Sequence, residues 1–228
     1  MAEIMVVDDE RVVRESLREI LTSEGYSVRL ANDGEEALAE FRASRPDLIL
    51  LDVMMPGRNG YAVCEEIRRD DPSIPVIFLT GMEAETHEIK GMTVGGDDYI
   101  LKTAPTEIML ARVRRSLERH RAQTQTQPAQ SETLRIGRTT VDFSSRCIRL
   151  EDGATEKLTG SELDILRALA SDRSRYFKLE EICGMIHGKN HAIELGTLRS
   201  QISRLKQKFG ASGELIHSER FVGYRLLP

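Results

Sequence analysis

The chain has 228 residues, 40% apolar and 30% charged, with a net charge of −5, which suits one or two globular domains with room for real cores. No apolar run approaches the roughly 18 residues of a membrane span, and Met1-Ala2-Glu3-Ile4 lacks the basic flank and apolar segment of an export signal. Three cysteines (Cys64, Cys147, Cys183) without CxxC spacing, and a His187/His191 pair interrupted by Gly188, argue against a disulfide framework or a thiolate or histidine metal site.

The first half alternates regularly. Apolar, strand-like runs at 3–7, 27–31, 48–52, 76–80 and 98–101 are separated by segments of helical period, such as Val13, Leu17, Ile20, Leu21 and then Ala37, Leu38, Phe41. Gly25 ends the first helix, Asn32-Asp33-Gly34 opens the second, and Ser73-Ile74-Pro75 precedes the fourth strand. Five βα units with helices on both faces of a parallel sheet follow from that pattern.

Residues 122–131, rich in Gln and Thr, cannot bury apolar surface and read as a flexible linker. The charge changes across it. Residues 1–121 carry 16 Lys and Arg against 24 Asp and Glu, net −8, whereas 122–228 carry 16 against 13, net +3. Domains are therefore expected at 1–121 and 134–228, joined by a linker over 122–133.

The second half begins with short alternating runs at 134–136, 140–143 and 147–150, expected as small antiparallel strands. Thr159 opens an amphipathic helix bearing Leu163, Ile165, Leu166 and Leu169, and residues 179–186 form a second. A third carries Leu195, Leu198, Ile202, Leu205 and Phe209 as one stripe. That stripe is expected to leave Thr197, Ser200, Ser203, Arg204 and Gln207 on the opposite face, with Arg199 and Lys208 at its flanks. Hydroxyls, amides and arginines suit a helix that reads base edges and phosphates.

In an open parallel sheet the strand ends gather at one rim. There Asp8 and Asp9 close the first strand, Asp52 the third, Thr80 the fourth, and Lys102 follows the fifth. A carboxylate attacks a phosphoryl donor poorly because like charges repel, so a hard cation such as Mg²⁺ is needed beside it. Lys102 and the Thr80 hydroxyl would then hold the oxygens of the acyl phosphate.

The pair Asp8-Asp9, the block Asp52-Val53-Met54-Met55-Pro56-Gly57, Thr80 and Lys102 resemble a bacterial receiver domain. Leu158-Thr159-Gly160-Ser161-Glu162-Leu163, then Ile202-Ser203-Arg204-Leu205-Lys206 and Arg220-Phe221-Val222-Gly223-Tyr224-Arg225-Leu226 resemble the winged-helix effector of OmpR/PhoB-type response regulators. The resemblance implies an α/β, doubly wound, flavodoxin-like receiver followed by an α+β winged helix-turn-helix domain. It implies Asp52 as phosphoacceptor, Asp9 and the Met54 carbonyl as direct Mg²⁺ ligands, Asp8 acting through water, and Thr80 with Tyr99 as the switch.

It further implies a dimer face using Asp97, Asp98, Arg112 and Arg115. DNA contacts are expected from Thr197, Ser200, Gln201, Ser203 and Arg204 in a major groove and from Arg220 on the backbone or in the minor groove. The implied partners are a sensor histidine kinase, double-stranded DNA with direct-repeat sites, a second copy of the chain and RNA polymerase, in the cytoplasm and away from membranes. No enzyme is expected: an aspartyl-nucleophile phosphatase needs a second carboxylate at position 54, where Met stands. Gly95-Gly96-Asp97-Asp98-Tyr99 mimics a diguanylate cyclase signature inside a half already filled by the five-unit fold.

Three departures stand out. Thr103 replaces a proline whose preceding peptide bond is cis in the family, and a non-proline cis bond costs about 2.5 to 4 kcal/mol, so this loop is either trans or strained. Glu88 and Ile108 fall where a basic and an acidic partner of the dimer face are expected, which predicts weaker or rearranged dimerisation. The alternative reading is a regulator that binds DNA independently of phosphorylation.

Overall fold

The computed structural model of the chain describes residues 1–81, 94–125, 133–187 and 194–227. The chain divides into two compact units, Met1–Gln125 and Thr126–Pro228. No helix among the described residues is long and apolar enough to cross a membrane.

The first unit contains strands β1 (Glu3–Val7), β2 (Ser27–Ala31), β3 (Leu48–Asp52), β4 (Val76–Thr80) and β5 (Asp98–Leu101), the five runs read from the sequence. They pair in parallel in the order β2-β1-β3-β4-β5. Helices α1 (Arg11–Ser23), α2 (Gly34–Ala43), α3 (Gly60–Asp70) and α4 (Thr106–Gln125) flank the sheet.

The central strands are apolar at consecutive positions because both faces are covered. Ile4, Val6, Leu48, Leu50, Ile77, Leu79 and Ile100 point to one side, against Leu21 of α1 and Met109, Val113 and Leu117 of α4. Met5, Val7, Ile49, Leu51, Phe78 and Tyr99 point to the other, against Leu38 and Phe41 of α2 and Val63, Cys64 and Ile67 of α3. Asp33 caps α2 by accepting from the N–H groups of Glu35 and Glu36, each at 2.9 Å, and Asn59 caps α3 through Ala62 at 3.1 Å. The strand order reverses about β1, so a crevice opens beyond the carboxyl ends of β1 and β3.

Helix α4 runs to Gln125, four residues into the expected linker, and the next strand already includes Thr133; residues 126–132 lie outside the described residues. The second unit opens with β6 (Thr133–Ile136), β7 (Thr139–Asp142), β8 (Cys147–Arg149) and β9 (Thr155–Lys157), an antiparallel sheet in sequence order. The sequence reading missed β9, whose three residues are all exposed and so carry no apolar alternation. Helices α5 (Gly160–Ala170), α6 (Leu179–His187) and α7 (Glu194–Lys208) follow, and β10 (Ile216–Glu219) with β11 (Gly223–Leu226) closes the chain as a hairpin. Leu198, Ile202 and Leu205 of α7, with Phe209 just beyond it, join one core with Leu163, Leu166 and Leu169 of α5.

Candidate functional site

At the crevice of the first unit, side-chain oxygens of Asp8, Asp9 and Asp52 lie within 4.8 Å of one another. Asp8 and Asp52 are buried and Asp9 is exposed. The Lys102 ammonium reaches all but Asp9, standing 2.7 Å from Asp8 and 3.2 Å from Asp52, with Glu10 also at 3.2 Å. Glu10 was not anticipated; its signal was a third consecutive carboxylate after Asp8-Asp9. Thr80 is buried at the end of β4, and its carbonyl accepts from the Lys102 backbone N–H at 2.6 Å, which fixes where the lysine leaves the sheet.

Gly60, the first residue of α3, presses on the Asp52 carbonyl so closely that a Cβ there has no space. The Met54 N–H points at Asp52 Oδ1 from 3.3 Å, while the Met54 side chain is exposed. Described peptide bonds are all trans, Lys102–Thr103 included, which resolves the alternative posed by the missing proline.

Burial, and next the neighbouring Asp8, push the Asp52 carboxyl above its usual range against the pull of Lys102. Burial would lower the Lys102 pKa, but its bond to Asp8 and the charges of Asp52 and Asp8 raise it, so the ammonium stays charged. The three clustered carboxylates against one ammonium leave two formal negative charges, to which Glu10 at the rim adds a third. That surplus, with hard oxygen donors clustered at a solvent edge, fits a divalent cation such as Mg²⁺.

Tyr99 is buried, its ring 6.4 Å from Phe78, which meets Tyr61 edge-on at 5.5 Å. Burial and then the proximity of Tyr99 keep the Tyr61 phenol protonated. Two of the expected dimer-face residues behave differently from their neighbours. Asp97 is turned inward: it pairs with Arg68 of α3 at 2.6 Å and accepts from the Val76 N–H at 3.0 Å, while Arg68 also donates to the carbonyls of Gly95 and Ile74. This corrects its placement on the dimer face, because a carboxylate locked at the entry to β4 and β5 is withheld from a second chain. Asp98 pairs within its own chain, with Arg112 at 2.6 Å and Arg115 at 3.6 Å. Ile108 is exposed, and Glu88 lies outside the described residues.

In the second unit the outward face of α7 is Gly196, Arg199, Ser203 and Gln207, with Ser200 half-buried; the Thr197 side chain lies outside the described residues. Gln201 and Arg204 correct the sequence reading, since both are buried. Arg204 Nε donates to Glu162 Oε1 at 2.7 Å, and Lys208 donates to the other oxygen at 2.8 Å. Glu162 also accepts from the Thr159 N–H at 2.8 Å, completing the capping box that starts α5. Burial alone would raise the Glu162 carboxyl; Arg204, Lys208 and Thr159 overcome it and hold the pKa at about 2. The guanidinium thus ties α7 to α5 rather than facing a groove. Arg220 is exposed at the tip of the β10–β11 hairpin.

The response regulator receiver domain family matches residues 4–114, and the family described as transcriptional regulatory protein, C terminal, matches residues 153–226. The chain is 36% identical over 225 residues to the response regulator MprA of Mycobacterium tuberculosis, covering 98% of this chain and 96% of that protein. It is equally similar to MprA of Mycobacterium leprae, with 98% and 97% covered. A solved structure of a RitR mutant superposes with a TM-score of 0.80, covering 99% of both chains at 22% identity, a likeness of fold alone.

Proposed function

The chain belongs to the response regulators that join a receiver domain to a DNA-binding transcriptional regulatory domain, and from that premise we propose that Asp52 is its phosphoacceptor, with Mg²⁺ held by Asp8, Asp9, Asp52 and the Met54 carbonyl. The observation that supports this most is the convergence of three carboxylates and the Lys102 ammonium at the ends of β1, β3 and β5. A receiver domain implies a histidine kinase as phosphoryl donor. A carboxylate oxygen of Asp52 forms the new P–O bond while the P–N bond to the kinase imidazole breaks and the nitrogen keeps its electron pair. When bound, Mg²⁺ supplies the charge neutralisation that lets two anions approach.

The protein's own groups do the rest. Lys102, already poised between Asp8 and Asp52, pairs with a phosphoryl oxygen, and the Thr80 hydroxyl donates to another. Movement of Thr80 toward the phosphate changes the packing beside Tyr99, and the face formed by β5 and α4 is the surface that responds. Asp98, Arg112 and Arg115 then exchange partners within one chain for partners across two. On DNA, Ser200, Ser203 and the neighbouring Arg199 and Gln207 meet a major groove, and Arg220 meets the backbone or minor groove. Two effector domains arranged head to tail fit direct repeats about 10 to 11 bp apart.

Treatment with acetyl phosphate and Mg²⁺ should place one acid-labile phosphate on the wild-type chain and none on Asp52→Asn. Stoichiometric labelling of Asp52→Asn refutes the assignment. Genome-wide mapping of bound DNA with and without phosphodonor tests the coupling to transcription.

A further inference from the structure

The tip of the terminal hairpin holds a side chain that the fold does not use. Phe221 is 91% exposed, more than the exposed Val12 at 81% or Met54 at 57%. Its backbone lies in the left-handed region with φ +64°, at the third position of a turn closed by the Val222 N–H on the Glu219 carbonyl at 3.1 Å. Turns of this kind place Gly or Asn there, and a bulky aromatic is an outlier. An exposed ring on a strained backbone contributes nothing to the core, and strain retained without packing points to function.

The stem below the tip is rigid. Tyr224 exchanges two backbone hydrogen bonds with Phe177, at 2.8 and 2.9 Å, and Gly223 is seated so close to the Phe177 carbonyl that any Cβ would collide with it. The hairpin is therefore clamped at its base and presents Phe221 outward. Around the ring three cations stand against two carboxylates. The Arg220 guanidinium lies over it, 4.9 Å from its centroid, and Lys178 and Arg199 share with the tip a cleft of about 880 Å³, offset by Glu180 and Glu219. A partner that satisfies cations and an apolar ring side by side must offer anions next to flat apolar faces, which describes the edge of a stacked duplex.

We propose that Phe221 is an apolar wedge that enters the minor groove beside Arg220 and parts one base step, so that the DNA bends at the wing. This rests on the reading that the hairpin docks on DNA. Aromatic and aliphatic wedges act in this way by unstacking a step and kinking the duplex. The step beneath the wing should accordingly be a flexible pyrimidine–purine step, TA or CA/TG, though no hydrogen bond reads it.

The test uses the full chain and duplexes that it selects from a random pool, with hydroxyl-radical footprinting to locate the wing. 2-Aminopurine is placed at each step under the wing, and fluorophores on the duplex ends report bending by energy transfer. Wild type should raise the 2-aminopurine signal several-fold at one step and shorten the end-to-end distance. Phe221→Gly suits φ +64° and should fold at least as well, bind within about tenfold of wild-type affinity, and lose both the fluorescence rise and the bend. Phe221→Leu should keep part of both.

A fluorescence rise and bend that survive in Phe221→Gly, or that are absent from wild type on DNA it binds tightly, overturn the wedge. So does a Phe221→Gly defect confined to recruitment of a second copy, which would make the ring a protein contact. Selection of no duplex by wild type would instead sink the docking on which the wedge rests.

Discussion

Replacing Arg204 by Met removes one of two cations from a carboxylate with no exposure to solvent. The Glu162 pKa of about 2, against an ordinary 4.5, corresponds to about 3 kcal/mol of stability at neutral pH. Because the folded value is depressed, this contribution is complete above about pH 4.5 and is lost as pH falls through about 2. Removing one partner of a buried pair costs about 3 to 5 kcal/mol, and the surviving Lys208 contact places Arg204→Met near the lower end. With a urea dependence of about 2 kcal/mol per molar, the unfolding midpoint should drop by about 1.5 M. Hydrogen-exchange mass spectrometry on the full chain across a urea series assigns that drop to peptides from α5 and α7. Acid unfolding of the same unit should move to higher pH, and Glu162→Leu combined with Arg204→Met should recover much of the loss. An Arg204→Met chain with unchanged midpoint and selectively impaired DNA recognition would refute the argument and return the arginine to the groove.

Other outcomes follow from the same structure. The raised Asp52 pKa means that its stabilising contribution is complete below about pH 3.8 and lost as pH rises through the folded value, so the ionised site strains the receiver at neutral pH. Asp52→Asn should therefore melt higher than wild type at pH 7 without Mg²⁺, by a margin that narrows toward pH 4, and should gain less from added Mg²⁺; a lower melting temperature contradicts this. Arg112→Glu breaks the pair with Asp98 and should reduce phosphate-dependent dimerisation in sedimentation velocity while leaving Asp52 labelling intact. A stable dimer indifferent to both phosphate and that substitution would favour a phosphorylation-independent regulator. Ser203→Ala should change the sequence preference of binding, whereas Arg220→Ala should weaken all sequences alike and flatten the salt dependence; fixed-salt titrations on matched and mismatched duplexes separate the two.

The receiver was legible because its central strands are buried on both sides: apolar runs marked β1 to β5, and carboxylates marked the ends of β1 and β3. The effector was legible only in part. A single apolar stripe on α7 suggested that everything opposite faces solvent, yet Gln201, Arg204 and Lys208 cluster on one side, where α5 brings a buried carboxylate. At about 100° per residue, the exposed arc is rotated by roughly 50° from the position a one-sided helix would have. The capping-box pattern Thr159-x-x-Glu162 and the i,i+4 pair Arg204/Lys208 were the available signals, but a contact between helices 42 residues apart cannot be read from either helix alone. Asp97 was misplaced for a similar reason: its partner Arg68 lies in α3, and only the folded sheet edge brings them together. Phe221 drew no separate reading from the sequence, because a positive φ is visible only in three dimensions.

The polar tie between α7 and α5 also bears on how new binding preferences could be made from this protein. Because Arg204 and Lys208 both grip Glu162, the helix cannot roll about its axis to present other side chains. Positions 196, 199, 200, 203 and 207 can therefore be randomised as an independent alphabet, while 201, 204 and 208 belong to the frame that holds it. A library confined to those five sites should yield folded variants at high frequency, and one that swaps the whole helix from a relative should do so only when the cationic pair travels with it.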